Sequence, residues 1–349
     1  MNEIAQNQTF RFSEPIGPNG GKVEAIGPGG KRFQLTLTPS DVHTTSELST
    51  YLAGYKPFAF RAEDASPIVQ VDKTKFYYRT FDSDDAFLHV NTKVGLTSPP
   101  VNVDPGSSVL EGYTENHSVG SLVSVQTEEQ ADSFSPKAVA GKRCMNAILI
   151  DREKEVFDLV GTAANWDASV RHTLGGAENW DGGADSDPIQ NLQDAIEASM
   201  QEVTAILFNR KVSNTFLRHA ATVAYMRQWY GDEAPQKAGR ASDYTLPGFP
   251  PFKVINSKYR NTPGGLRINF HGNNVVLLCQ PPSPPTDGEE ISSCYTYREK
   301  GEDAVGINIR EWFVDGAGTK GATMVNVTLA EKTIMTGNTC GGHIASVIS

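Results

Sequence analysis

No apolar run in the chain approaches the roughly 20 residues that a membrane-spanning helix needs, and the opening stretch Met1–Arg11 is polar. A transmembrane anchor and a secretory leader are thereby excluded as sequence readings, and the expectation is a protein made and kept in the cytosol. Without a secretory route, the sequons at Asn7, Asn116 and Asn326 are coincidental. Cysteine is scarce. Cys144, Cys279, Cys294 and Cys340 form no C-x-x-C pair, which argues against a zinc site or a disulfide framework. Buried free thiols are the default, although Cys279 and Cys294 flank a Pro-rich loop and can approach one another.

Recognisable reaction chemistry is also missing. The sequence has no G-x-S-x-G elbow, no H-E-x-x-H, no Walker lysine and no G-x-G-x-x-G after a strand. The seven histidines stand singly, and the nearest approach to a ligand pair, Cys340 with His343, leaves a zinc site half built. Asp181, Asp185 and Asp187 imitate part of a calcium loop but lack the glycine and terminal glutamate of an EF-hand. No cofactor, metal or catalytic residue is therefore expected, and the chain does not read as an enzyme. Positive charge is short too: 31 Lys and Arg face 41 Asp and Glu, a net charge of −10. Phosphate neutralisation needs clustered cations, so tight nucleic-acid binding is not expected, whereas enclosing DNA without gripping it is compatible with this balance.

What is present suits a globular α+β protein: 349 residues with 38% hydrophobic and 9% aromatic content are enough for two ordinary cores. The first 35 residues carry a near-duplication, Ile16–Lys22 and Ile26–Lys31, rich in turn residues. Such a segment builds no core alone and reads either as a floppy terminus or as an arm that becomes ordered only against neighbouring subunits. Thr44–Gly54 has the pattern of a short helix. Strand-like runs follow at Ile68–Phe81, Phe87–Val94 and Val119–Gln126, separated by Asp, Gly and Pro clusters. Pro136 opens a long helix with the imperfect apolar stripe Val139, Met145, Ile148, Leu149, Val156, Leu159 and Val160. Among these lie Lys142, Arg143, Asp151, Arg152, Glu153, Lys154 and Glu155, a charged face expected in solvent or against a neighbour.

The centre of the chain is the most specific part. A Gly/Asp-rich loop with Trp166, Gly175, Gly176 and Trp180 runs into Asp187 and Pro188, an N-cap followed by a favoured first helical residue. Ile189, Leu192, Ile196, Met200 and Val203 then recur at helical spacing. Ala205–Phe208 reads as a buried strand, and Val212, Phe216 and Leu217 mark a second helix.

The order of this loop, S-D-P-I-x-x-L-x-x-A-I and A-I-L-F-N-R-x-V-x-N-x-F-L resembles the centre of Hong Kong 97-type major capsid proteins of tailed double-stranded DNA phages. The flanks fit as well: F-K-V-I-N at Phe252–Asn256, N-V-V-L-L-C at Asn274–Cys279, and I-N-I-R-E-W-F-V with T-M-V-N-V-T-L-A-E-K-T-I-M within Gly306–Val347. The resemblance implies an α+β capsid fold divided into an N-terminal arm (1–55), an extended β-hairpin loop (56–118), a peripheral domain (119–204) with a spine helix at about 136–160, an axial domain (205–285) and a return to the peripheral domain (286–349). It also implies a structural protein that assembles with itself, as pentamers and hexamers, into an icosahedral head shell enclosing DNA without sequence-specific binding. Portal, scaffolding and decoration proteins would be its partners, with no membrane involved, and the virion its location after assembly in the host cytoplasm. No long charged extension precedes the arm, so scaffolding would be separate or absent. Phe10 and Phe33 near the arm, with Phe76, Tyr78 and Arg79 on the ribbon, are the candidate intersubunit contacts. The alternatives are an encapsulin-like nanocompartment shell and, in another class, a cytosolic α+β enzyme with an unrecognised site.

Overall fold

The computed structural model describes residues 60–81, 89, 91–94, 100–101, 107–131, 135–182, 185–231, 243–281, 288, 290–301, 306–317 and 320–349, with the backbone of strands at 22–26, 32–36 and 42–44. In chain order the strands and helices are β1 (Lys22–Ile26), β2 (Arg32–Thr36), β3 (Val42–Thr44), α1 (Ala62–Ala65), β4 (Ile68–Val71), β5 (Lys75–Phe81), β6 (Ser107–Tyr113), β7 (Glu115–Ser124), α2 (Val125–Glu129) and α3 (Pro136–Gly161). They continue with β8 (Arg171–Thr173), α4 (Pro188–Ala198), β9 (Ala205–Asn209), α5 (Arg210–Arg218), α6 (Ala220–Tyr230), β10 (Phe252–Ile255), β11 (Lys258–Tyr259), β12 (Ile268–Asn269), β13 (Val275–Leu278), β14 (Cys294–Glu299), β15 (Ile307–Val314), β16 (Ala322–Met335) and β17 (Gly341–Ala345).

The chain divides into two compact units. One comprises 1–55, 118–145 and 307–328; the other comprises 56–117, 146–306 and 329–349. In the first, β1 and β2 form an antiparallel hairpin. There β15 lies between β3 and the first part of β16, and β7 also pairs with β16. The Cys144 thiol, on the first half of α3, donates to the Val325 carbonyl of β16 at 3.9 Å.

In the second unit a five-stranded sheet runs in the order β10-β9-β13-β17-β8. Every residue of β9 and β13 is buried, as strands covered on both faces must be. The period of two sends Ile206, Phe208, Val275, Leu277 and Ile344 into one cluster with Trp180, Leu192, Phe216 and Met226 from the loop and α4–α6. Leu207, Val276 and Leu278 enter the opposite cluster with Val156, Phe157 and Val160 of α3 and with Trp166. β14 lies between the last part of β16, antiparallel, and β4, parallel.

The long helix matches its expected span. α4 starts as expected, with Asp187 Oδ1 accepting from the N–H groups of Ile189 and Gln190 at 3.1 and 3.2 Å, but it stops at Ala198 and not at Val203. Ser199 turns into extended backbone, and its hydroxyl donates to the Gln201 carbonyl and accepts from Gly341 N–H at 2.9 Å. Side-chain to backbone bonding of this kind competes with helix. The segment after Asn209 forms two helices, broken at His219, whose ring nitrogen accepts from Ala221 N–H at 3.2 Å.

Two other expectations change. The strand-like run Phe87–Val94 has no strand at its described positions, His89 and 91–94, and the partner of β5 is β6. β17 was placed in the return segment, yet it joins the axial sheet between β13 and β8, where its first four residues are fully covered. As expected, all four cysteines are free and buried; Ser293, not Cys294, meets Cys279, its N–H donating to the Cys279 carbonyl and its hydroxyl oxygen accepting from the Cys279 N–H. The helix expected at 44–54 lies outside the described residues except for Thr44, which ends β3.

Candidate assembly surfaces

The spine helix α3 buries one face at spacing of four: Cys144, Ile148, Arg152, Val156 and Val160, flanked by Met145, Glu153 and Phe157. Two charged residues, Arg152 and Glu153, thus stand inside the apolar stripe and not on the charged face expected in solvent or against a neighbour. Glu153 is fully enclosed. Its carboxylate accepts from Ala62 N–H at 2.7 Å, Arg61 N–H at 2.9 Å and the Ser257 hydroxyl at 3.1 Å. The two N–H groups belong to the start of α1, where a helix leaves donors unpaired. Burial pushes the Glu153 carboxyl above its ordinary range, and the backbone donors pull it part of the way back. Arg152 reaches Glu63 at 3.3 Å and Glu331 at 3.4 Å, while Arg298 grips Glu331 through Nε and Nη2 at 3.0 and 2.8 Å. The segment leading into the ribbon is therefore tied to the spine helix by charge-assisted bonds in a closed environment. Such bonds are strong where both partners are paired and costly where one is removed.

The ribbon itself is the antiparallel pair β5–β6, from Lys75 opposite Tyr113 to Phe81 opposite Ser107. Alternation gives it two different faces. At its root, Phe76 stacks on Tyr297 with ring centroids 4.6 Å apart, and Tyr78 lies 6.0 Å from the same ring. Gly112 faces Phe76, where a Cβ would come within 2.6 Å of the ring, so the stack demands glycine. Thr74 and Thr114 donate to Glu299 at 3.3 and 3.4 Å, fixing the first rung. The outer face carries Lys75, Tyr77 and Arg79 beside Val109, Glu111 and Tyr113. Lys75 pairs with Glu111 at 2.8 Å, with its ammonium 5.7 Å from the Tyr77 ring centre and 6.0 Å from that of Tyr113. Tyr77, Val109 and Tyr113 are 64, 57 and 56% exposed. Large apolar groups left open in this way make the outer face of the ribbon a candidate interaction surface.

Of the five sequence candidates, Phe10 lies outside the described residues; Phe33 sits on β2 opposite Ala25, its side chain also outside them. Phe76 is spent inside its own chain, and Tyr78, half-buried, leans on it at 6.2 Å. Arg79 is half-buried on the outer face. Tyr77, Val109, Leu110 and Tyr113 were missed. The run Lys-Phe-Tyr-Tyr-Arg shows that a ribbon alternates without showing which face meets the rest of the chain.

Asp181, Asp187 and His343 have hydrogen-bond partners within the chain. Among the described residues no group of three or more His, Cys, Asp or Glu is arranged to hold an ion. Asp181 accepts from Ser349 N–H at 3.0 Å, and Asp187 caps α4. His343 Nε2 sits 3.0 Å from the Gly161 carbonyl and 2.9 Å from the Asn274 amide, at the end of α3. His271 beside it is fully buried, and burial lowers its pKa to about 4.

No protein-family model matches the chain. A major capsid protein of Pseudomonas phage JBD67 is 26% identical over 188 residues, 54% of this chain and 60% of that one; the match thus spans about three fifths of that relative. Among solved structures, a phage-related protein of Bordetella bronchiseptica RB50 superposes with a TM-score of 0.65 at 17% identity, covering 87% of this chain and 97% of the other. The capsid of cyanophage P-SCSP1u gives 0.51 at 10% identity over 83% and 90%. A putative capsid protein of an Escherichia coli CFT073 prophage gives 0.50 at 11% over 87% and 99%. With the spine helix, the open ribbon and the helix-backed axial sheet in one chain, this protein has the fold of the phage capsid structures it superposes on, that of the Hong Kong 97 type.

Proposed function

We propose that the chain is the major capsid protein of a tailed double-stranded DNA phage, with self-association into an icosahedral head shell as its activity. The observation that carries this reading is the ribbon β5–β6, whose root is locked by Phe76 on Tyr297 and whose outer face leaves Tyr77, Val109 and Tyr113 open. A two-stranded ribbon is marginal alone in water, and a second copy of the chain covers it in this reading. The net charge of −10 suits a container that encloses DNA without binding it by phosphate neutralisation. The role is structural and not catalytic. Pentamers and hexamers are the assembly units, assembly takes place in the host cytoplasm, the virion is the final location, and portal and scaffolding proteins are the partners at initiation.

The test is size-exclusion chromatography with electron microscopy of the purified chain over a range of concentration and salt, followed by analysis of nuclease-protected content. Shells, rings or tubes, with protected DNA in particles from infected cells, are expected. A chain that stays monomeric or dimeric under every condition overturns the reading, and particles that hold a cargo protein in place of DNA replace it with a nanocompartment shell.

A further inference from the structure

α4, α5 and α6 cover one face of the axial sheet. α4 packs over β17, and α5 over β9 and β10, while α6 touches both helices. In the strand order β10-β9-β13-β17-β8, α4 and α5 therefore occupy opposite lateral sides of the same face. Their outward surfaces differ in sign. The exposed residues of α4 are Gln190, Gln193, Asp194 and Glu197, and those of α5 are Arg210, Lys211, Asn214 and Arg218.

Local helix energetics explain only part of this arrangement: Arg218 lies in the last turn of α5, where the helix dipole favours a cation. Glu197 lies in the last turn of α4, and Arg210 and Lys211 lie in the first turn of α5, each at the end where the helix dipole disfavours its charge. Asp194 takes a hydrogen bond from the Gln190 amide, and Lys211 donates to the Ser349 carbonyl at 3.1 Å. Among the described residues, Asp194, Glu197, Arg210 and Arg218 have no ion-pair partner in their own chain.

We propose that these two flanks are the complementary halves of one head-to-tail contact, in which the acidic α4 flank of one copy meets the basic α5 flank of the next. This rests on the shell reading. A contact between two different patches of identical chains generates a ring when its rotation closes, and opposite signs steer the copies and set their register, while like signs repel. Because these charges are exposed, the contact weakens with salt as the screening length shrinks to about 8 Å near physiological ionic strength.

The test uses three variants of the full chain: D194K/E197K, R210E/R218E, and the chain carrying all four substitutions. Light scattering and electron microscopy follow assembly, and circular dichroism checks folding. Each two-residue variant is expected to assemble at least about tenfold more slowly than the native chain, and the four-residue variant to regain most of the rate, since it restores complementarity with the signs exchanged. Sedimentation velocity on an equimolar mixture of the two two-residue variants should show complexes that neither forms alone, whether or not the native chain closes shells. That mixture separates failure of this contact from failure of the shell reading. Native-like assembly of either two-residue variant, no recovery in the four-residue variant, or no complex in the mixture overturns the proposal. Loss of binding to a labelled DNA duplex in R210E/R218E, with D194K/E197K assembling normally, would assign the α5 stripe to nucleic acid instead.

Discussion

Glu153 ties the start of the ribbon segment to the spine helix, and substituting it separates the roles of its charge and of its hydrogen bonds. Glu153→Ala strands three donors, Arg61 N–H, Ala62 N–H and the Ser257 hydroxyl. A buried donor left without a partner costs about 1–3 kcal/mol, and Arg61 N–H is only partly enclosed, so the expected loss is about 3–5 kcal/mol. Glu153→Gln keeps the geometry: its carbonyl oxygen accepts from both backbone groups and its amide donates to Ser257, so the expected loss is about 1 kcal/mol or less. Burial raises the Glu153 carboxyl, so the folded state takes up a proton more readily than the unfolded one. The stability contributed by that proton is present below the ordinary carboxylate range and lost as pH rises through the raised value. Glutamine has no proton to lose, so the native chain should gain on Glu153→Gln as pH falls through this window. Urea unfolding of the unassembled chain, followed by tryptophan fluorescence and extrapolated linearly, measures all three proteins. Equal destabilisation by Ala and Gln would show that negative charge, not donor pairing, holds α1, and an Ala variant within about 1 kcal/mol of native would sink the account altogether.

Acid should destabilise the chain through His271, whose folded pKa is lowered by burial to about 4. The groups facing it are His343, the Asn274 and Leu207 backbones and the edge of Phe157. The unfolded state binds the proton first, so stability is full above the ordinary histidine value and falls by about 3 kcal/mol between pH 6.5 and 4. Melting curves of native and His271→Gln proteins across that range should converge as pH drops, and parallel curves would refute the assignment. On the ribbon, Tyr77→Ser with Tyr113→Ser should leave the unassembled chain within about 0.5 kcal/mol of native, as exposed sites do, while abolishing assembly. Shells formed normally by that double variant would remove the outer face from the contact.

Elements whose stabilisation is local were legible in the sequence. The Asp187–Pro188 cap and the apolar spacing announced α4, the long stripe announced α3 and the apolar run Ala205–Phe208 announced β9, while β13 came through the family resemblance of Asn274–Cys279. What failed depends on partners far away in sequence. Arg152 and Glu153 read as charges in solvent or against a neighbour because Arg61, Ala62 and Ser257 lie 91 to 104 residues from Glu153. The end of α4 was misplaced because Gly341, which bonds to Ser199, is 142 residues away. β17 carries two glycines where strand propensity disfavours them. One of them, Gly341, has φ of +111° and leaves no room for a Cβ, which would lie 2.3 Å from the Leu277 carbonyl.

The ribbon shows the same limit in its most consequential form. Phe76 and Tyr77 are adjacent aromatics of similar size, and a period of two only guarantees that they face opposite ways. The choice is made by Tyr297, over 200 positions later, which offers Phe76 a ring to stack on, and by Gly112, which leaves that ring its space. Once Phe76 turns inward, Tyr77 and Tyr113 must turn outward, and Lys75 settles between their rings and Glu111. The exposed face is therefore the consequence of an internal stack, so in the proposed shell the root of the ribbon bears on assembly even though Phe76 itself is buried within its own chain.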